Sequence, residues 1–109
     1  MTIKFDIKDN KTGKTSTYSK DIITMGEAEK YWQLVEKLSK EENPIKARKA
    51  EREFFVDLFK DQGLTEEELL ENMSTREYQR VTNEIFREIS GQDDEDTENE
   101  TEEAGKTKN

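Results

Sequence analysis

Carboxylates and hydroxyls are the side chains of this chain that could do chemistry, because its 109 residues include no histidine and no cysteine. The densest carboxylate group is Glu66, Glu67 and Glu68, and paired carboxylates can act as general acid and base. These glutamates also stand at a predicted helix start, where negative charge stabilises the helix dipole. We favour the helix explanation. Because the serines have no base of the usual type nearby, the sequence predicts a protein that is not an enzyme and uses no cofactor.

Alternating acids at Asp94, Asp96 and Glu98 are a candidate calcium loop. Such a loop needs a glycine at its sixth position and a bidentate glutamate at its twelfth. Asn99 and Gly105 stand at those positions. We therefore predict no metal site, and the absence of cysteine excludes a thiolate site or a disulfide.

The composition of the chain changes at Gly91. Every Leu, Ile, Val and Phe lies within residues 1–91, and residues 92–109 contain none of them. Residues 92–109 carry eight acidic side chains and two lysines, a net charge of −6, whereas residues 1–91 have a net charge of −3. A segment without apolar surface cannot offset the entropy of ordering. The sequence therefore predicts a folded domain over residues 1–91 and a disordered acidic tail over residues 92–109.

Charge and hydropathy also restrict the partners and the location. A nearly neutral body does not neutralise phosphates, so we expect no nucleic-acid binding. The acidic tail would repel both DNA and membranes. No apolar run approaches the ~20 residues that a membrane span needs, and the N-terminus lacks the apolar core of a signal peptide. We expect a soluble, cytosolic protein.

The pattern of the first twenty residues predicts a β-hairpin. Ile3, Phe5 and Ile7 alternate with polar residues, which is typical of a half-buried strand. Residues 9–13 have turn chemistry, and residues 14–18 return as a polar strand. Because a hairpin alone is marginally stable in water, its apolar face should pack on helices.

Helix starts are marked by capping residues. Three of them have a glutamate three positions later, which predicts a capping box, and the remaining one precedes a proline. The predicted caps are Thr24, Asn43, Thr65 and Ser74. The first helix carries an apolar stripe that includes Val35, and the second has a line through Phe54 and Leu58, widened by Phe55 and Phe59. The predicted fold class is α+β, with an N-terminal β-hairpin packed on a small bundle of three to four helices.

Three apolar residues lie at or beyond the edges of these helical stripes. They are Trp32, Val56 and Phe86. Residues in such positions either complete the rim of the core or contact a partner or a second copy of the chain. Both explanations stay open, and the three residues are the candidate partner-binding set.

The segment from Glu53 to Leu69, EFFVDLFKDQGLTEEEL, resembles tail assembly chaperones of long-tailed, siphovirus-type bacteriophages that infect Gram-positive hosts. Proteins of that family have a β-hairpin, a helix, a second helix ending in an aromatic-rich LF–x–x–Q element, a short acidic helix, a final helix closing at glycine, and a charged tail. The same order can be followed here over residues 2–91.

The resemblance implies a function. A tail assembly chaperone coats the long, aggregation-prone tape measure protein and brings tail tube subunits to it. It acts in the host cytoplasm and leaves before the virion is complete, and a longer form is often made by ribosomal frameshifting. The family offers no invariant site residues to carry over. We expect several copies of this chain on one client, helped by weak self-association.

A competing hypothesis is a small acidic phage protein that mimics DNA and inhibits a nucleic-acid enzyme. A mimic needs negative charge on a rigid surface at phosphate-like spacing. Here most of the excess charge lies in residues 92–109, so the sequence favours the chaperone.

Overall fold

A computed structural model describes residues 2–91, and the predicted disordered tail and the candidate calcium loop lie outside the described residues. The described part contains a two-stranded antiparallel hairpin followed by four α-helices, which confirms the predicted α+β class. The elements are β1 (Ile3–Lys8), β2 (Thr15–Lys20), α1 (Met25–Lys40), α2 (Pro44–Phe59), a short 3₁₀ turn (Lys60–Gln62), α3 (Glu66–Asn72) and α4 (Thr75–Ser90).

The hairpin has the predicted alternation of burial. Ile3, Phe5 and Ile7 are buried and the residues between them are exposed. The turn is fixed by the Asp9 carboxylate, which accepts hydrogen bonds from the Lys11 and Thr12 amides at 2.7 and 3.0 Å. These bonds stabilise the charged form and lower the pKa of Asp9. A local turn thus sets the register that points the apolar face of β1 toward the helices.

All four predicted caps accept hydrogen bonds from the first turns of their helices. At Thr24 the full capping box forms, because the Glu27 side chain also accepts from the Thr24 amide at 2.9 Å. The prediction of complete boxes at Thr65 and Ser74 is wrong in its second half. Glu68 instead accepts from the Tyr18 hydroxyl, and Glu77 accepts from Arg80. The Glu68 carboxylate is thus engaged by a residue of the hairpin, and the Glu77 carboxylate by an arginine one turn later on the same helix.

The core lies toward the Phe55 and Phe59 side of the predicted line on α2, and Leu58 of that line is buried as predicted. Phe55, Leu58 and Phe59 are buried, and the ring of Phe59 lies 5.0 Å from that of Phe5 on the hairpin. Phe54 is half-buried and faces α1. Because α2 lies between the hairpin and α1, two of its sides are covered, and periodicity alone does not show which side faces the larger core.

Tyr18 joins the hairpin to α3. Its ring is buried and stacks on Phe5 at 5.3 Å, and its hydroxyl donates to Glu68 Oε1 at 2.7 Å. Burial, together with the adjacent Glu68 carboxylate, raises the pKa of Tyr18 to about 12. Both effects disfavour the phenolate, so the folded protein holds this proton more tightly than the unfolded chain does.

This raised pKa predicts a loss of stability at alkaline pH. An unfolded tyrosine loses its proton near pH 10, so folding stability should fall as the pH rises from about 10 toward 12. Tyr18→Phe should lower stability at neutral pH through the lost hydrogen bond, but it should flatten the alkaline decline. Urea unfolding midpoints measured between about pH 8 and about pH 11 test this. Parallel declines in the two proteins would contradict the assignment.

Side chains also occupy both backbone edges of the hairpin. Gln62 forms a two-point contact with Ser19: its Oε1 accepts from the Ser19 amide at 3.0 Å, and its Nε2 donates to the Ser19 carbonyl at 2.7 Å. On the other edge, Arg80 Nη2 donates to the carbonyl of Lys4 at 3.2 Å, and Lys4 pairs with Ser19 in the register. Gln62 belongs to the LF–x–x–Q segment, so the glutamine of that element here closes a sheet edge.

Candidate interaction groove

The structure brings two of the three candidate partner-binding residues together. Trp32 on α1 is 44% exposed, and Phe86 on α4 is half-buried. Both line a groove of about 500 Å³ between α1 and the C-terminal half of α4. The other lining residues are Tyr31, Asn83, Arg87, Ile89 and Ser90. This feature is called the α1–α4 groove below.

A bridge of aromatic rings holds the walls of the groove in place. The ring of Tyr31 lies 5.8 Å from that of Phe54 on α2 and 5.1 Å from that of Phe86 on α4. Burial raises the pKa of Tyr31, and the nearby Glu51 charge adds to this effect. Since Tyr31 turns inward to make these contacts, the next residue, Trp32, is left on the outer wall of the groove.

An ion pair fixes the start of α1 to the hairpin. Lys20 Nζ lies 2.7 Å from the Glu27 carboxylate. Burial alone would raise the pKa of Glu27, but the hydrogen bonds from Lys20 and from the Thr24 amide outweigh it, and the pKa is lowered. The capping box and this ion pair together set the direction in which α1 leaves the hairpin.

The outer side of α1 carries a second apolar line. Met25, Trp32 and Val35 are 74%, 44% and 45% exposed, and the buried Ala28 lies between the first two. Positions 25, 28, 32 and 35 alternate steps of three and four, the spacing of a coiled-coil seam. We call Met25, Trp32 and Val35 the outer seam. The sequence prediction that Val35 belongs to the inner stripe is wrong, and the spacing from Met25 was the signal that could have shown the outer seam.

Val56 lies away from the groove. It is partly buried and packs against the main core. Val56 follows Arg52 by four positions and therefore shares its side of α2, and Arg52 pairs with Glu66 of α3 at 3.0 Å. Asp57, by contrast, pairs with Lys30 of α1 at 2.9 Å. The rim-of-core explanation therefore accounts for the position of Val56, and the groove is formed without it.

A second groove of about 470 Å³ runs between α2 and the segment from α3 to the start of α4. Its exposed apolar residue is Leu70, which is 62% exposed. The walls also carry charged residues: Arg48 lines the groove, and the Tyr78 hydroxyl donates to Glu51 at 3.0 Å. Burial and the Glu51 charge raise the pKa of Tyr78. Leu69, Met73 and Tyr78 also line this groove. The α1–α4 groove differs from it in carrying an exposed tryptophan, a residue type that is enriched at binding hot spots.

Comparison with protein families identifies the family of this chain. A family model described as "Phage tail chaperone protein" matches residues 1–107. The chain belongs to the phage tail chaperone family. The match includes the hairpin, all four helices and most of the acidic segment that follows them. No curated protein and no solved structure matches this chaperone.

Family membership confirms the coarse form of the resemblance, a chaperone in phage tail assembly. A chaperone acts by binding other proteins, which agrees with an inventory poor in catalytic groups. Over residues 2–91, no helix of the chaperone is both long and apolar enough to cross a membrane. The Gram-positive host and the siphovirus type of the phage stay predictions.

Proposed function

We propose that this chaperone binds the tape measure protein of its phage through the α1–α4 groove and helps to recruit tail tube subunits to it. The binding takes place in the host cytoplasm, and the chaperone is absent from the mature virion. The observation that carries the proposal is the joining of Trp32 and Phe86 in one groove beside the exposed outer seam. Family membership supports the tail-assembly setting.

The geometry of the groove favours a helical client. An amphipathic helix binds in an apolar groove through side chains at positions i, i+3, i+4 and i+7, and the outer seam presents the matching spacing. Exposed tryptophans that become buried on binding are frequent hot spots. Each copy of the chaperone would cover a short stretch of the client, and weak self-association would help the copies to cluster. Their negative charge would keep the loaded complex soluble.

The DNA-mimic alternative gains no support from the described residues. A mimic must leave its carboxylates unpaired to replace phosphates. In the body, several carboxylates are paired with cations, among them Asp57 with Lys30, Glu66 with Arg52 and Glu77 with Arg80. The pairing lowers the pKa of each of these three carboxyl groups and neutralises its charge locally.

Co-expression with the tape measure protein of the same phage tests the proposal. The tape measure protein should aggregate when expressed alone and stay soluble with the chaperone, which should co-purify with it in many copies. If the tape measure protein is equally soluble alone, or if the chaperone does not co-purify, the client assignment is wrong.

A separate arm tests recruitment. Purified tail tube protein should be retained by the immobilised complex and much less by the chaperone alone. Failure of this arm alone would remove the recruitment role and leave the client assignment in place.

A further inference from the structure

The groove between α2 and the segment from α3 to the start of α4, called the α2–α3 groove below, combines exposed apolar residues with a cation. Leu70 is 62% exposed, and the half-buried Met73 lines the same groove. Arg48 is exposed on the α2 wall. Ile45, which is 76% exposed, precedes Arg48 by three positions and so lies on the same side of α2. Arg48 therefore shares the groove with one exposed apolar residue and its side of α2 with another.

Among the charged residues that line this groove, Arg48 is the one without a partner within residues 2–91. Arg52 Nε lies 3.0 Å from the Glu66 carboxylate. Glu51 accepts the hydroxyl of Tyr78 at 3.0 Å, and burial raises the pKa of Tyr78, so this hydroxyl stays a donor. With two arginines and one glutamate, the lining has a net positive charge. The cation that is left for a partner is Arg48.

This arginine decides which occupant fits the groove. A protein that covers Leu70 also takes water away from Arg48, and a guanidinium buried without a partner costs free energy. A carboxylate of the occupant would offset that cost through a charge-assisted, bidentate pair. A second copy packed groove to groove would add another Arg48, and its Glu51 is already bound by Tyr78. Charge complementarity therefore favours an acidic occupant over a second copy.

We propose that the α2–α3 groove is a second interaction surface of the chaperone and that it takes an acidic amphipathic helix of another protein. The apolar side chains of that helix lie on Leu70 and Met73, in the manner of a helix bound in a groove, and one of its flanking carboxylates pairs with Arg48. The inference goes beyond the proposed function, which uses the α1–α4 groove. With two separate grooves, one chaperone can hold two different proteins at once.

The test uses three synthetic helical peptides of equal length, fluorescently labelled and without tryptophan. All carry the same leucine stripe, and the residues flanking it are glutamate, glutamine or lysine. In fluorescence anisotropy at about 150 mM NaCl, where long-range charge effects are screened, the glutamate peptide should bind at least about tenfold more tightly than the glutamine peptide. Trp32 is the single tryptophan and lines the other groove, so its emission should not shift.

Matched variants locate the pairing. Arg48→Gln should weaken the glutamate peptide about tenfold. Lys46→Gln removes the same charge from the same helix, but Lys46 is exposed and does not line the groove, so its effect should stay below about twofold. Arg48→Glu should reverse the preference and make the lysine peptide the tighter one. Leu70→Ala should weaken the glutamate peptide at least about fivefold through lost apolar contact. Circular dichroism checks that each variant is folded.

The inference is overturned if the glutamate peptide does not bind, or if it binds no more tightly than the glutamine peptide. Equal effects of Arg48→Gln and Lys46→Gln, or unchanged binding by Leu70→Ala, would also overturn it. A shift of the Trp32 emission on binding would place the peptide in the α1–α4 groove. Dimers in sedimentation that Leu70→Ala removes would show that a second copy fills the α2–α3 groove. Either of these two results would overturn the inference as well.

The co-expression assay separates this inference from the proposed function. Arg48→Gln should keep the tape measure protein soluble, because the proposed client site lies in the α1–α4 groove. If the peptides fail to bind as expected while the tape measure protein is kept soluble, the second surface is wrong and the proposed function stands. If the glutamate peptide binds through Arg48 and the tape measure protein does not co-purify, the proposed function is wrong and the second surface stands.

Discussion

Phe59→Ala is expected to lower the free energy of unfolding by about 3–5 kcal/mol. The Phe59 side chain is fully buried, and its ring lies within 5.0 Å of Phe5, 5.6 Å of Phe55 and 6.5 Å of Tyr18. Truncation would leave a cavity at the contact between the hairpin and α2. Since small domains have a total stability of about 5–15 kcal/mol, the variant should be largely unfolded at moderate temperature.

Phe54→Ala is the matched control, because it makes the same change on the same helix. Phe54 is half-buried and contacts Tyr31 of α1, so its loss should cost clearly less. Urea unfolding followed by circular dichroism gives both values. A second control is removal of residues 92–109, which contain no large apolar residue and should leave stability nearly unchanged. Equal losses for the two phenylalanines would contradict the position of the core.

Trp32→Glu is expected to reduce affinity for the tape measure protein roughly 30-fold, the loss that follows from removing a hot spot of about 2 kcal/mol. Trp32 is partly exposed on the groove wall, so the substitution should not disturb the core. A glutamate would also place an unpaired charge against an apolar client surface. Recovery of soluble tape measure protein in the co-expression assay measures the effect.

Leu70→Glu is the control for this substitution. Leu70 is more exposed than Trp32 and lies in the other groove, between α2 and α3. It should keep full recovery of the client, and circular dichroism should show both variants folded. If Leu70→Glu abolishes recovery and Trp32→Glu does not, the client binds the other groove.

Signals that act over a few residues allowed the order of elements to be predicted. The side chains of Thr24, Asn43, Thr65 and Ser74 accept bonds from amides two or three positions later, so their role is local. The alternation of Ile3, Phe5 and Ile7 has the period of a strand wherever the strand packs. Local signals do not show which side of a helix is covered by another element. For this reason they could not predict that Phe55 is buried more deeply than Phe54, or that Val35 is exposed.

The candidate site could be predicted only in part, because it too depends on how the helices pack against one another. Trp32, Val56 and Phe86 were all selected because they lie at or beyond the edge of an apolar stripe. Whether such residues meet depends on the packing of α1, α2 and α4, which places Trp32 and Phe86 in one groove and Val56 on the side of α3. The contact of Gln62 with the hairpin could not be predicted from local sequence, because its partner Ser19 is 43 residues away in the chain.

The side chains on the hairpin edges also protect the sheet against pairing with other chains. The free edges of a β-hairpin can form backbone hydrogen bonds with an extended segment of another chain, which leads to aggregation. Gln62 and Arg80 occupy opposite edges at the level of Ser19 and Lys4, so another strand would have to displace one of them to pair along the whole of either edge. A chaperone with this hairpin can thus present its side chains to other proteins while Gln62 and Arg80 keep part of each backbone edge occupied.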